Sequence, residues 1–337
     1  MLCLKMSIQE ILYAKPSVKC FLALHLLFIE AQKKIVVEDL ELNVVVIGDI
    51  GYPENKSEIK RMVVRAIRSQ HAKRPFQLGL NQGDNVYNKG SVKNDFQTLH
   101  EIFGVSFPPD IYPFDFLTVV GNHDHKGDLD TQIEYHRQHE PRFYMPSRNY
   151  YYGKFLDDID VVLMDGTSIR FVCVDSTPLY EFKPETAAGV EERILQTSGI
   201  LRILDNSKTF DYLFMVLHHN VNDGCGPHRY VPDYDGLLNL ITHKHLTAII
   251  NGHNHNMQVH SMNYLMFYRC YTRPPIITIG NSARADPITA PKIYNAWCTS
   301  PEDGGFGQLI ISNDFATFNF ITGDGTILKS AKINRVQ

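Results

Sequence analysis

Five apolar runs in this chain each stop at a short cluster of polar residues. This repeated ending constrains the fold more than any single motif. Val44-Val45-Val46-Ile47 runs into Gly48-Asp49-Ile50-Gly51, and the run over 76–80 leads to Gly83-Asp84-Asn85-Val86-Tyr87. Phe116-Leu117-Thr118-Val119-Val120 delivers Gly121-Asn122-His123-Asp124-His125. Phe214-Met215-Val216-Leu217 delivers His218-His219, and Leu246-Thr247-Ala248-Ile249-Ile250 ends at Asn251-Gly252-His253-Asn254-His255. A short apolar run closed by turn residues reads as a buried strand. Open α/β sheets bind ligands in the crevice beyond the carboxyl ends of such strands. The five ends are therefore expected to converge on one site.

The residue types at those ends point to metal chemistry. Asp49, Asp84, Tyr87, Asn122, His218, His253 and His255 offer carboxylate, phenol, amide and imidazole, a donor set for two neighbouring cations. One Gly-Asp after a strand is commonly a turn that caps the next helix, so the metal reading rests on all five ends taken together. His253 and His255, two apart on an extended stretch, face one way. Hard oxygen donors suit a trivalent ion, amide and imidazole a divalent one, and a carboxylate bridges them. Tyr87 discriminates. A phenol titrates near 10, and a strongly Lewis-acidic ion such as Fe(III) would drive it to phenolate. Two carboxylates, a phenolate and a bridging hydroxide would leave a formal charge of about +1 on such a pair, enough to attract a phosphate dianion without trapping it. Metals of this kind acidify water, orient the phosphoryl group and stabilise the attacking and leaving oxygens. A trivalent ion acidifies water more strongly, so activity at acidic pH is expected. His123 directly follows a ligand position and is the first catalytic candidate, donating to a phosphoryl oxygen or protonating the leaving group. His219 is the second. It and His125 have the alternative of hydrogen-bonding ligands or loop backbone.

Composition excludes several classes. Lysine and arginine number 33 against 37 acidic residues, a net charge of −4, which favours neither nucleic acid nor an anionic membrane surface. The basic residues from Lys60 and Arg61 to Arg68, then Lys73 and Arg74, are spaced as the solvated face of a helix that follows Ser57. Helical patterns over 58–70 and 190–204 alternate with short strands, the mark of an α/β fold. Segments 307–312, 316–322 and 326–328, separated by turns at Asn313-Asp314 and Gly323-Asp324-Gly325, read as a closing antiparallel meander. No linker or repeat interrupts the chain after residue 40, so residues 41–337 are read as one catalytic domain. Residues 1–40 are read as a leader. Lys19 precedes an apolar run over 20–29 that is too short to span a bilayer and suits a signal peptide, with Met6 an alternative start. No later segment reads as a membrane span, and the tail over 329–335 is polar. A monomer in the secretory pathway (secreted, lysosomal or vacuolar) is expected. Cys173 lies in an apolar run and reads as a packed thiol. Cys225, Cys270 and Cys298 lie in loop-like surroundings, and their pairing stays open. Asn55-Lys56-Ser57 is a glycosylation sequon that counts only in a secreted chain.

At these residues the chain resembles the purple acid phosphatases of the small tartrate-resistant type, within the calcineurin-like metallophosphoesterases. Gly121-Asn122-His123-Asp124-His125-Lys126-Gly127, followed by Thr131-Gln132-Ile133 and Tyr135, is similar to that family's metal loop. Gly252-His253-Asn254-His255-Asn256 is similar to its paired-histidine motif, and Gly304-Gly305-Phe306-Gly307 to the start of its closing strands. The resemblance covers roughly residues 42–335. It implies an α/β fold of the metallophosphoesterase type, a four-layer sandwich of two mixed β-sheets flanked by helices. It also implies a dinuclear Fe(III)–M(II) centre acting on phosphate monoesters. Asp49, Tyr87 and His255 would bind the ferric ion, Asp84 would bridge, and Asn122, His218 and His253 would bind a divalent iron, zinc or manganese. His123 would stand near substrate. The chain departs from the pattern at Ile50, where tryptophan is usual, and at Leu217-His218-His219-Asn220, which replaces a Gly-His-Tyr-Pro context. Cys225 falls near the position of a second substrate-facing histidine, so acid/base roles would pass to His219 or His228. Two alternatives remain: a catalytically inactive scaffold relative, as in protozoan gliding motility, and a phosphodiesterase or nucleotide hydrolase on the same fold. All seven ligand positions are filled.

Overall fold

Strands and helices alternate along the chain as the apolar runs require. The computed structural model describes residues 35–152, 161–180, 187–221, 225–228, 240–260, 265–266, 269–270, 274–289 and 296–335. The proposed leader falls almost wholly outside them. In chain order the strands are β1 (Ile35–Val36), β2 (Glu41–Ile47), β3 (Leu78–Asn81), β4 (Phe116–Thr118), β5 (Phe143–Tyr144), β6 (Tyr150–Tyr152), β7 (Val161–Val162), β8 (Ser168–Cys173), β9 (Tyr212–Val216), β10 (Ala248–Asn251), β11 (Met257–His260), β12 (Leu265–Met266), β13 (Arg269–Cys270), β14 (Ile276–Ile279), β15 (Ala296–Thr299), β16 (Gly305–Ser312), β17 (Phe315–Thr322) and β18 (Ile327–Asn334). The three longest helices are α1 (Glu58–Lys73), α2 (Leu129–Gln138) and α3 (Ala187–Asn206).

Two mixed sheets result. The first runs β18-β17-β16-β2-β3-β4-β5, and the second runs β1-β7-β8-β9-β10-β14-β11-β15 with β6 beside β8. In the first sheet β2, β3, β4 and β5 are parallel, and the closing meander adds antiparallel. In the second, β8, β9, β10 and β14 are parallel. Successive strand residues point to opposite faces, and the second sheet follows that rule. Phe171, Tyr212, Phe214, Val216, Ile250 and Ile277 join Val44, Val46, Leu309 and Phe318 in the core that contains both sheets. Their neighbours Val172, Leu213, Met215, Ile249 and Ile276 join Ile200 and Leu204 of α3 in a second core. The layers are therefore helix, sheet, sheet, helix.

α1 begins where Ser57 Oγ accepts the Lys60 N–H at 3.0 Å, an N-cap that leaves Asp49 free of capping duty. One part of the basic-face expectation fails here. Lys60 is buried, its ammonium donating to the carbonyls of Ile50 (2.9 Å) and Ile102 (2.6 Å), and burial pushes its pKa down to about 7. Spacing alone does not reveal that the loop after β2 and the helical turn His100–Gly104 fold over that position. The tail is polar as read, and it forms the edge strand β18, which pairs with β17 from Phe315↔Asn334 to Ile321↔Ile327. An edge strand with one face in solvent tolerates lysines, which also discourage unwanted pairing. Cys173 is buried as expected. Cys225 and Cys298 form a disulfide with Cα atoms 6.2 Å apart, and Cys298 belongs to β15 rather than to a loop.

Candidate metal centre

The carboxyl ends of β2, β3 and β4 in one sheet meet those of β9 and β10 in the other, across the top of the sandwich. The two sheets are joined directly at this point. Asp49 Oδ2 accepts the His253 N–H at 2.9 Å, and the carbonyl of Gln82 accepts from His218 Nδ1 at 2.8 Å. Backbone strain concentrates here. Asp49, Asp84 and His253 have φ of 59°, 52° and 67°, a left-handed region that non-glycine residues rarely adopt unless the surroundings impose it. Gly121 permits a close approach, since a Cβ there would stand 2.3 Å from Asp84 Oδ1. Asp124, which is buried, ties the loops together by accepting the N–H groups of Gly121 (2.8 Å), Asn85 (3.0 Å) and Val86 (3.1 Å).

The seven predicted ligands come together, and their donor atoms fall into two groups. In the first, Tyr87 Oη lies 3.0 Å from Asp49 Oδ1 and 3.1 Å from His255 Nε2, and those two are 3.3 Å apart. In the second, His218 Nε2 lies 3.2 Å from both Asn122 Oδ1 and His253 Nδ1. Asp84 Oδ1 stands 3.5 Å from His218 Nε2, next to the second group. Ligands about 2.1 Å from one ion in tetrahedral or octahedral geometry stand roughly 2.9–3.4 Å from each other, which is the spacing within each group. The donor set fits two cations.

Ring tautomers agree with that use. The Gln82 carbonyl can only accept, so His218 carries its proton on Nδ1 and turns the Nε2 lone pair toward Asn122 and His253. His255 likewise donates Nδ1–H to Asp286 Oδ2 at 2.6 Å, leaving Nε2 for Asp49 and Tyr87. A histidine ligand anchored by its other nitrogen to a carbonyl or carboxylate is the usual arrangement at metals. His123 donates Nδ1–H to the Asn88 carbonyl at 2.7 Å, and its backbone N–H reaches Asp84 Oδ1 at 2.9 Å. Its ring meets the Tyr87 ring edge-on at 4.9 Å, at the half-buried rim of the site.

Electrostatics here are unbalanced without cations. Burial raises Asp84, assisted by Asp49 and Asp124 and opposed by His218, to about 6. Burial also pulls Asp49 upward, but hydrogen bonding to His255 and the positive charge of His218 and His255 in their protonated forms bring it below the usual carboxylate value. One carboxyl of the pair thus stays ionised at the expense of the other. Burial, with Asp49 and Asp84 nearby, drives Tyr87 well above 10. Burial and the neighbouring imidazoles of His219, His218 and His228 hold His253 well below its usual value.

The other two candidate histidines lie behind the rim. His219 is 3% exposed, stacked on Tyr180 at 4.7 Å and 4.6 Å from the His253 ring. Ser176 Oγ accepts the N–H groups of His218 (3.3 Å) and His219 (3.1 Å) and stands 2.9 Å from His219 Nδ1. His125 Nε2 holds both oxygens of buried Asp175 at 2.9 Å. Asp175, Ser176 and Asp286 were missed from sequence. The first two follow the apolar strand β8, the same signal that marked the other five ends. Asp286 lies in the loop after β14 and has no periodic signal.

A fold of two mixed sheets with metal-competent side chains at their converging strand ends defines a metallophosphoesterase. The calcineurin-like phosphoesterase family model matches residues 42–257, and the chain belongs to that family. It is 28% identical over 193 residues to tartrate-resistant acid phosphatase type 5 of Sus scrofa, a match covering 53% of each chain, so it spans about half the length of that relative. Among solved structures it resembles the Plasmodium protein GAP50, described as the anchor in the inner membrane complex, with TM-score 0.73 and 17% identity over 89% of this chain and 90% of that one. It also resembles the purple acid phosphatase PPD1 of Lupinus luteus, with TM-score 0.59 and 16% identity over 88% of this chain and 54% of that one. These likenesses to solved structures concern the fold. No described helix is long and apolar enough to cross a membrane.

Proposed function

We propose that this chain is an acid phosphatase that hydrolyses phosphate monoesters at an Fe(III)–M(II) pair, M being iron, zinc or manganese. Asp49, Tyr87 and His255 hold the ferric ion, Asn122, His218 and His253 hold the divalent ion, and Asp84 lies between them. The observation that carries this reading is the division of the donor atoms into two groups at ligand–ligand spacing. When bound, such a pair supplies Lewis acidity toward the phosphoryl oxygens and an acidified water as nucleophile. The chain's own groups do the rest. His218 and His255 are held to one tautomer each by Gln82 and Asp286. The Nδ1–H of His123 is committed to Asn88, which leaves Nε2 as the ring atom that can exchange a proton with the leaving oxygen. His219 backs the His253 ring and keeps it in place.

Metal content, colour and hydrolysis of p-nitrophenyl phosphate in acid test the reading. The wild type is expected to hold iron and a second metal and to show a visible ferric–phenolate band that Tyr87→Phe abolishes. Asp84→Ala is expected to lose metal and more than about 100-fold in rate. Unchanged metal content and rate in Asp84→Ala would sink the proposal. A colourless protein holding two zinc or two manganese ions would keep the phosphoesterase and remove the iron. A metal-free, inactive protein would favour the scaffold. Disulfides persist in oxidising compartments, so the Cys225–Cys298 bond supports passage through the secretory pathway. A reporter carrying residues 1–40 that stayed in the cytosol would remove that placement.

A further inference from the structure

The side of the site beyond His255 carries side chains that the metal reading leaves unused. His228 is exposed, and its ring stands 4.6 Å from the ring of His253 and 5.9 Å from that of His255. Its backbone N–H is fixed by Asn254 Oδ1 at 3.2 Å, three residues after the Cys225–Cys298 bond. Atoms of His228, His255 and Asp286 that can act as metal ligands all lie within 4.8 Å of one another. A further cation there would need the Asp286 carboxylate, and both its oxygens are engaged. Oδ2 takes His255 Nδ1–H at 2.6 Å, and Oδ1 takes Arg284 Nε–H at 3.2 Å. With Oδ2 on an N–H donor and Oδ1 on a guanidinium, the Asp286 carboxylate is satisfied without a further cation. The Arg284 side chain is 45% exposed and meets Asp286 through Nε, so Arg284 and His228 both border that carboxylate. Arginine anchored in this way is suited to planar recognition of carboxylate or phosphate.

We propose that Arg284 and His228 form a second anion subsite, which selects phosphomonoesters whose leaving group carries a carboxylate or second phosphate a short spacer away. The inference rests on the phosphatase reading for the position of the first phosphate. Arg284 contacts the distal anion directly, Asp286 orients Arg284 and His255 together, and the disulfide-held segment presents His228 beside them.

The test compares 3-phosphoglycerate with glycerol 3-phosphate, which matches it in length and lacks the carboxylate, on the metal-loaded protein. A carboxylate that takes charge-assisted hydrogen bonds from a guanidinium is bound more tightly than the neutral hydroxymethyl group in its place. The wild type is therefore expected to favour 3-phosphoglycerate in kcat/KM by about tenfold or more. In Arg284→Gln the ratio should fall to about one, and in His228→Gln it should fall by a smaller factor. Competition by 3-phosphoglycerate and glycerol 3-phosphate for the site, read calorimetrically, supplies the same ratio without turnover. A wild-type ratio near one, or a ratio that survives Arg284→Gln, overturns the subsite. Absence of hydrolysis of both esters counts against the phosphatase, and the calorimetric ratio then still decides the subsite.

Discussion

Single side chains set this site by where they put protons and lone pairs. His255 is the clearest case. Its Nδ1–H is held by Asp286 at 2.6 Å, which turns Nε2 toward Asp49 and Tyr87. Loss of such an outer partner typically costs 10–100-fold in metal affinity. Asp286→Asn leaves the shape nearly unchanged but weakens the acceptor that fixes the tautomer. The expected outcome is a loss of iron affinity in that range with the second metal retained, read by competitive chelation and metal analysis. Equal loss of both metals, or of neither, would contradict the assignment of His255 to the ferric position. Ser176 makes a parallel case on the other side. Two backbone N–H groups occupy its oxygen, so its own proton goes to His219 Nδ1. The His218–His219 corner is thereby pinned to β8.

At the scale of elements, the five strand ends were legible because each carries a local pattern, an apolar run followed by a polar cluster, with a glycine at four of the five. The grouping of their side chains needs only that parallel strands share a carboxyl edge. What was not legible depends on distant chain. Lys60 has the spacing of a surface residue, and only the approach of Ile50 and Ile102 buries it. Cys225 and Cys298 are 73 residues apart, and nothing near either one names its partner. That bond joins the segment bearing His228 to β15, which pairs with β11 directly after the His253–His255 motif. Closing a loop of that length removes denatured-state entropy worth about 4 kcal/mol. Cys298→Ser should therefore lower the denaturation midpoint in proportion, and reductant should lower the wild type to the same value while leaving the variant unmoved. Equal midpoints for wild type and variant under oxidising conditions would show that the bond does not constrain the fold.

For the whole molecule, the proposed operation in acid and stability pull in opposite directions, and His260 measures the conflict. It lies on β11, buried, with Nε2 2.8 Å from Gln258 Oε1, and burial depresses its pKa from 6.5 to about 4. Between those values the unfolded chain takes up a proton that the folded chain refuses. The folded-state advantage is therefore complete above about 6.5 and drains away as pH falls toward 4. Each tenfold loss of proton affinity on folding corresponds to about 1.4 kcal/mol, which puts the total on the order of 3 kcal/mol. His260→Gln removes the titrating group and keeps a polar side chain beside Gln258. The quantity to follow is the difference in unfolding free energy between wild type and variant, in which the other titrating groups cancel to first order. Relative to its value at pH 7, that difference should move toward the variant as pH falls, by about 2 kcal/mol near pH 5. A difference flat across that window would mean that His260 is protonated in the fold. Whatever holds the protein together in acid would then include a charged histidine on β11, beside Gln258.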